Sequence, residues 1–259
     1  MLPTPTVFPS PTMVPTLPAD KEQSLVLDLL QNNASCRLPC WWGFTPGKTA
    51  WPIAHAFFTS LGKAAIDQGR PYTSYRVEFN IAEHDTQLSQ EYLMIDGNID
   101  MIWVGAGMVR NNEAVFGDAL FAQDLRSYML PQILTTYGQP QEVLIQTFSG
   151  APDGSWVPFH LLLFYPEQGI LVDYQGPNAR KGDKLEWCPQ KTNIALWLWA
   201  PENKWTLEDI ARMGPNLSME AVLAYRPLEK ATGMSVAKFY ETFKDADNRT
   251  CLETPAGMW

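Results

Sequence analysis

Apolar residues recur along this chain with two alternating periods, and the switches between them mark out its elements. Residues 20–32, "DKEQSLVLDLLQN", carry apolar positions at helical spacing, with Asp20 placed as N-cap and Gln23 three residues on. A second helix is expected over 50–61, "AWPIAHAFFTSL", capped by Thr49, with Ile53, Phe57 and Leu61 on one face and Gly62 as its stop. The period then falls to two. "SYRVEFNI" (74–81) and "EYLMIDGNIDMIWVG" (91–105) read as strands, the latter a hairpin turning at "DGN".

The succession then returns. "AQDLRSYMLPQILTTYG" (122–138) predicts a helix closed by Gly138, and strands follow at 142–148, 159–165 and 169–175. A last strand, "IALWLWAP" (194–201), is apolar on both faces. Beyond it the signals are helical: Thr206 with Asp209 forms a capping box, Gly214–Pro215 is a stop, Ser218 and Ser235 are caps, and 227–233 makes a short connecting helix. Two successive units of one pattern point to an internal duplication. The expected fold is α+β: a two-layer antiparallel sheet with helices mainly on one face, built from two similar helix–strand–strand–strand units plus a helical C-terminal third. Its divisions are a spacer at 1–19, an N-terminal helix and stapled turn at 20–48, α+β units at 49–110 and 111–178, and a C-terminal strand and helices at 179–259 packed on the same domain.

Composition changes the picture at one place. "LPTPTVFPSPTMVPTLP" (2–18) holds six prolines and four threonines. Such a stretch favours extended chain and cannot build a core, so it reads as a stiff, disordered spacer. A spacer that opens a chain tethers something. This one has neither the basic start nor the apolar run of a signal peptide, so an export signal or lipid anchor is expected upstream of Met1. No segment reaches the length of a membrane span. Charge is sparse, with 28 acidic against 19 basic residues, a net of −9 and no Lys/Arg run. That argues against nucleic acid and anionic membrane surfaces as partners.

The least ordinary stretch is "CRLPCWWGFTPGK" (36–48). The chain has four cysteines, Cys36, Cys40, Cys188 and Cys251. A thioredoxin-type redox pair needs two intervening residues and Cys36–Cys40 has three; structural zinc wants four close ligands, and no histidine sits near either pair. An even count behind an export-type spacer fits two disulfides. Three connectivities are open, and Cys36–Cys40 with Cys188–Cys251 is favoured: the first suits a tight Pro-containing turn, the second ties together both ends of the C-terminal third. The short bridge then presents Trp41, Trp42 and Phe44 in one conformation. Consecutive tryptophans in a stapled turn do not readily both point inward, so these three are the candidate binding residues, while Trp103, Trp197 and Trp199 are expected to fill the core.

Signals for catalysis are sparse. Of the three histidines, His55 is expected to pack within its helix, His84 lies between Glu83 and Asp85, and His160 should face solvent from a strand. No nucleophile elbow, zinc-protease motif, P-loop or dinucleotide fingerprint occurs. "DADN" (245–248) lacks the glycine and distal glutamate of a calcium loop. No metal and no cofactor are expected.

The order helix, "LG" or "YG", then a strand meander, over 49–105 and 122–175, resembles the repeat of the SmpA/OmlA outer-membrane lipoproteins and the β-lactamase-inhibitor-protein fold. "CRLPCWWGFTPGKTAW" (36–51) is similar to a motif of uncharacterised bacterial secreted or lipoprotein-like proteins with Pro/Thr spacers. Neither resemblance carries a catalytic residue. The first implies an envelope or extracellular protein that works by binding. Together these readings give a non-enzymatic exported protein, tethered through its spacer, that binds an unknown protein or peptide with its sheet or the 36–48 turn. A carbohydrate-binding module using exposed tryptophans is the alternative. An extracellular hydrolase with an unrecognised acidic pair is the third reading.

Overall fold

A computed structural model of the chain describes residues 16–69, 72–148 and 158–259. The spacer up to residue 15, and Trp156, lie outside the described residues. The first unit opens with α1 (Ala19–Asn32), which begins at Pro18 rather than at an Asp20 cap. Next comes α2 (Trp51–Ser60), capped by Ala50; Thr49 turns back instead, its Oγ1 accepting from Thr45 N at 2.8 Å. The helical period is as expected but its phase differs. Ala54, Phe58 and Leu61 are buried and Ile53 is 62% exposed, because the small Ala54 lets the helix settle closely on the sheet.

Strands follow: the short β1 (Ile66–Asp67), then β2 (Ser74–Ile81), β3 (Thr86–Ile95), β4 (Asn98–Arg110) and β5 (Glu113–Val115). The β3–β4 turn falls at Asp96–Gly97, both at positive φ, as a primed hairpin requires. The expected helix at 122–138 is broken into α3 (Ala119–Asp124), a 3₁₀ turn, and α4 (Leu130–Tyr137). Pro131 sits in the first turn of α4, where its missing N–H ends any helix arriving from upstream. The second meander is β6 (Glu142–Gln146), β7 (Pro158–Tyr165) and β8 (Ile170–Pro177).

The C-terminal third adds β9 (Ala179–Lys181), β10 (Lys184–Trp187) and β11 (Asn193–Trp199), then α5 (Leu207–Met213), α6 (Met219–Ala224) and β12 (Arg226–Pro227). It closes with α7 (Leu228–Thr232), α8 (Val236–Phe243) and β13 (Leu252–Pro255). The capping box at Thr206–Asp209 and the Ser218 and Ser235 caps all form. Strands β13, β10 and β9 make a small separate sheet.

All the other strands join one antiparallel sheet in the order β1-β2-β3-β4-β11-β8-β7-β6-β12, with β5 on the end of β4. The doubly apolar β11 bridges the meanders, paired to β4 on one side and β8 on the other. One face of the sheet, carrying Val77, Val104, Leu196, Val172 and Leu163, is covered by α1, α2, α4 and α8 through Leu30, Phe58, Ile133 and Phe239. The other face is covered over only part of its extent, where α5, α6 and their connection lay Ile210 and Leu217 on Met101, Trp197, Leu171 and Phe164. The fold is α+β with helices mainly on one face.

The order of elements repeats, but the topology does not. Six antiparallel steps separate β2 from β6, so the two run in the same direction, yet each meander advances from its own edge inward to β11. Helices α2 and α4 lie on the same face. A two-fold axis normal to the sheet would reverse the strands, and one along β11 would move a helix to the other face. No rotation superposes the units. The expected internal repeat is therefore not a repeat of this topology.

Both favoured disulfides are present, Cys36–Cys40 and Cys188–Cys251, and none of the four thiols is free. The second joins the end of β10 to the start of β13. By chain entropy its loop of about 64 residues contributes roughly 4 kcal/mol, against about 2 for the five-residue loop. Cys188→Ser with Cys251→Ser is therefore expected to lower the midpoint of chemical denaturation by about twice as much as Cys36→Ser with Cys40→Ser; equal losses would contradict this ordering.

Candidate functional site

The three candidate binding residues of the stapled turn do not lie on the surface. Trp41 is 0% exposed, Trp42 3% and Phe44 6%, so the three candidate binding residues are core. The reason is local. Trp41 and Phe44 exchange both backbone hydrogen bonds, at 2.9 and 2.8 Å, across a turn in which Trp42 and Gly43 both take positive φ. The left-handed conformation at Trp42 rotates its side chain to the side Trp41 already occupies, and the rings stack with centroids 5.6 Å apart. Trp41 then meets Tyr128, Trp42 meets Phe79, and Phe44 packs on Phe58 and Tyr92. Buried Asn33 holds the loop from beneath. Its Nδ2 donates to the carbonyls of Cys36 and Cys40 at 2.9 and 2.8 Å, and its Oδ1 accepts from Trp42 N at 2.8 Å.

The histidines also part from expectation. His55 is exposed on α2, and His84 is drawn out of its acidic triplet, with Nδ1 2.5 Å from Asp124 Oδ2 on α3 while Asp85 pairs with Arg110. His160 does not face open solvent: its Nδ1 lies 2.9 Å from Oδ2 of buried Asp173, which also accepts from Gln175 Nε2 at 2.8 Å. Glu186, Cys188 and Cys251 cluster within ligand distance, but both sulfurs are spent in the disulfide.

What the strands do bring together is a polar lane on the second face, which runs from beside the α5–α6 cover to beneath Tyr225 at His160. One row of cross-strand neighbours runs Glu78, Ser89, Gly105, Ala195, Asp173. The next carries Gln87 beside Gly107, then Asn193, Gln175, His160 and Gln146. The lane spans seven strands, about 29 Å at the usual strand spacing. Its floor has to be bare. A Cβ on Gly105 would stand 2.7 Å from the Trp103 ring that lies across it, and one on Gly107 would stand 3.0 Å from the Asn193 amide. Between them is a hollow of about 570 Å³ walled by Gln87, Ser89, Trp103 and Asn193.

Twelve buried polar side-chain atoms among the described residues lack a partner within the protein; seven are scattered, among them the indoles of Trp41, Trp42, Trp187 and Trp199, and five gather in the lane. Arg76 Nε, Ser89 Oγ, Trp103 Nε1, Asn193 Oδ1 and Asp173 Oδ1 are buried and have no partner within the protein. All five project from the same face, on five adjacent strands. A buried polar group without a partner costs about 1–3 kcal/mol, and the lane concentrates five of them along one face. A second hollow, of about 830 Å³ beside the Cys188–Cys251 bridge, differs. Its cations Arg126, Lys191 and Arg249 are exposed and hydrated, and Lys244 pairs with Glu241 at 2.8 Å. None of its lining residues has a buried orphan atom.

Charges along the lane are compensated. Arg76 pairs with Glu91 at 2.8 Å and stands 5.7 Å from the Trp103 ring centre, while His160 faces Asp173. Burial works to lower the His160 pKa, but the charge of Asp173 and the hydrogen bond to it outweigh burial and raise it above its ordinary value. Burial, and then the Asp173 charge, push the Tyr225 hydroxyl far up, so it stays neutral beside the pair. No sequence motif announces these residues. Their signal is polar alternation on strands whose other positions are apolar. Comparison of the chain with protein-family models, curated proteins and solved structures gives no match.

Two outcomes are expected. Ser89→Ala and Asn193→Ala remove polar atoms that have no partner in the fold, so thermal melting should stay level or rise; a fall of several degrees would show these groups to be structural. The His160 ring should titrate by NMR above the midpoint of an unfolded histidine peptide. The stability from its pair with Asp173 is then fully present below that peptide value and lost as pH rises through the folded midpoint. A midpoint at or below the peptide value would contradict this.

Proposed function

We propose that this chain is a non-enzymatic binding protein of the extracellular space or cell envelope, held by its N-terminal spacer, and that the polar lane is its recognition surface. The observation that carries the reading is the set of five buried polar atoms without partners on one sheet face. Groups kept at a cost to the fold and aimed at one surface fit selection for a ligand. The pairing of all four cysteines fits an oxidising compartment, and among the described residues no helix is long and apolar enough to cross a membrane. The resemblance of 36–51 to secreted, lipoprotein-like proteins points the same way. A binding role is favoured over hydrolysis because Glu91 and Asp173 are each engaged by a cationic partner rather than left facing a scissile bond.

The test is site-specific photocrosslinking in native cells, with a photoreactive amino acid at Gln87 or Gln175 on the lane and at Glu229 as an off-lane control. Adducts confined to the lane positions are expected. Equal labelling at Glu229, or none at 87 and 175, would overturn the proposal.

A further inference from the structure

We infer that the ligand of this lane is a neutral carbohydrate chain, an inference that rests on the lane being the recognition surface. The first argument is the chemistry of the orphan atoms. Trp103 Nε1 and Arg76 Nε can only donate, Asn193 Oδ1 accepts, Asp173 Oδ1 accepts when ionised, and Ser89 Oγ does both. A ligand that meets them must offer donors and acceptors side by side over several strands. Sugar hydroxyls do that at every carbon, since each both donates and accepts.

Charge narrows the choice. The cations that reach the lane are already matched, Arg76 by Glu91 at 2.8 Å and Lys63 by Glu22 at 2.7 Å, and His160 is matched by Asp173. A phosphate, sulfate or polycarboxylate ligand would find no free cation there and would meet Glu78. With the other charges paired, Glu78 is left over, so the lane repels anions and offers no cation to hold one.

Shape separates a glycan from a peptide. Extended peptides add to a sheet edge, where backbone groups are open, or drop apolar anchors into pockets. This lane crosses the middle strands, whose backbone groups are used in the ladder, and its floor is the Trp103 ring laid over Gly105 and the Asn193 amide laid over Gly107. A floor of one indole and one amide, with further amides along it, suits a sugar ring better than a peptide backbone.

The experiment is affinity electrophoresis followed by calorimetry of the full chain. The probes are soluble neutral polysaccharides (an α-glucan, a mixed-linkage β-glucan, an arabinoxylan and a galactomannan) and a muramyl–glucosamine oligosaccharide, with heparin as the anionic control. Retardation by at least one neutral glycan and none by heparin is expected. Asn193→Ala and Ser89→Ala should each weaken that glycan about tenfold, the equivalent of about 1.4 kcal/mol, with melting unchanged or higher. Lys191→Ala, in the other hollow, should leave binding unchanged. Retardation by heparin alone, or glycan binding insensitive to both lane variants, would overturn the inference. If no glycan binds and the lane crosslinks of the native protein prove to be polypeptide, the carbohydrate assignment fails while the lane remains the recognition surface. Without lane crosslinks, both fail.

Discussion

Strand β11 is the constraint on which the rest depends. Among the described residues it is the only strand that joins the two meanders, and it is buried on both faces. Ile194, Leu196 and Leu198 enter the main core, while Ala195, Trp197 and Trp199 turn to the thinner one. A slip of one residue would exchange every leucine for a tryptophan on each face, so volume alone pins the register. The indole of Trp197 adds a direct link, donating to Pro215 O at 2.8 Å and so fixing the segment that joins α5 to α6. That cover ends before Asn193. Where it stops, the same strand that holds the core together supplies the middle of the polar lane, and a continuous lane exists because β11 makes a continuous sheet.

The two disulfides serve this arrangement at different distances. Cys188–Cys251 lies just outside the end of β11 and ties the C-terminal strand to β10, so the segment leading into β11 starts from a fixed point. Cys36–Cys40 closes a loop that drives a wedge of aromatic rings between α2 and the sheet. The tryptophans of the chain's least ordinary motif thus serve packing, and the recognition surface we propose is made of common amides, glycines and one serine.

Much of the fold was legible because it rests on local periodicity and turn chemistry. Asp96–Gly97, the Thr206–Asp209 box and the Cys36–Cys40 turn follow from short-range rules, and pairing the first two cysteines leaves Cys188 and Cys251 to each other. Helix phase was not legible at Ile53, since Ile53/Phe57 and Ala54/Phe58 obey one period and only the approach to the sheet chooses between them. The break before Pro131 was carried by a single residue. The inward Trp42 needed a positive φ that tryptophan rarely takes, and the rule that consecutive side chains diverge holds only for extended or helical backbone. The lane was hidden for a different reason. Ser89, Asn193 and Asp173 become neighbours only through the strand order β3-β4-β11-β8, in which β11 reaches β4 from beyond the whole second meander. The mirrored hand of the two meanders was out of reach for the same reason.

The claim that function lies on the lane and not in the stapled turn is tested most directly by NMR. Indole and side-chain amide resonances would be followed while the protein is titrated with oligosaccharides from a hydrolysate of envelope polysaccharide. The account predicts shifts at the Trp103 indole and at the Gln87, Gln175 and Asn193 amides, with the Trp41 and Trp42 indoles unmoved. Shifts centred on Trp41 and Trp42, with the lane silent, would contradict it.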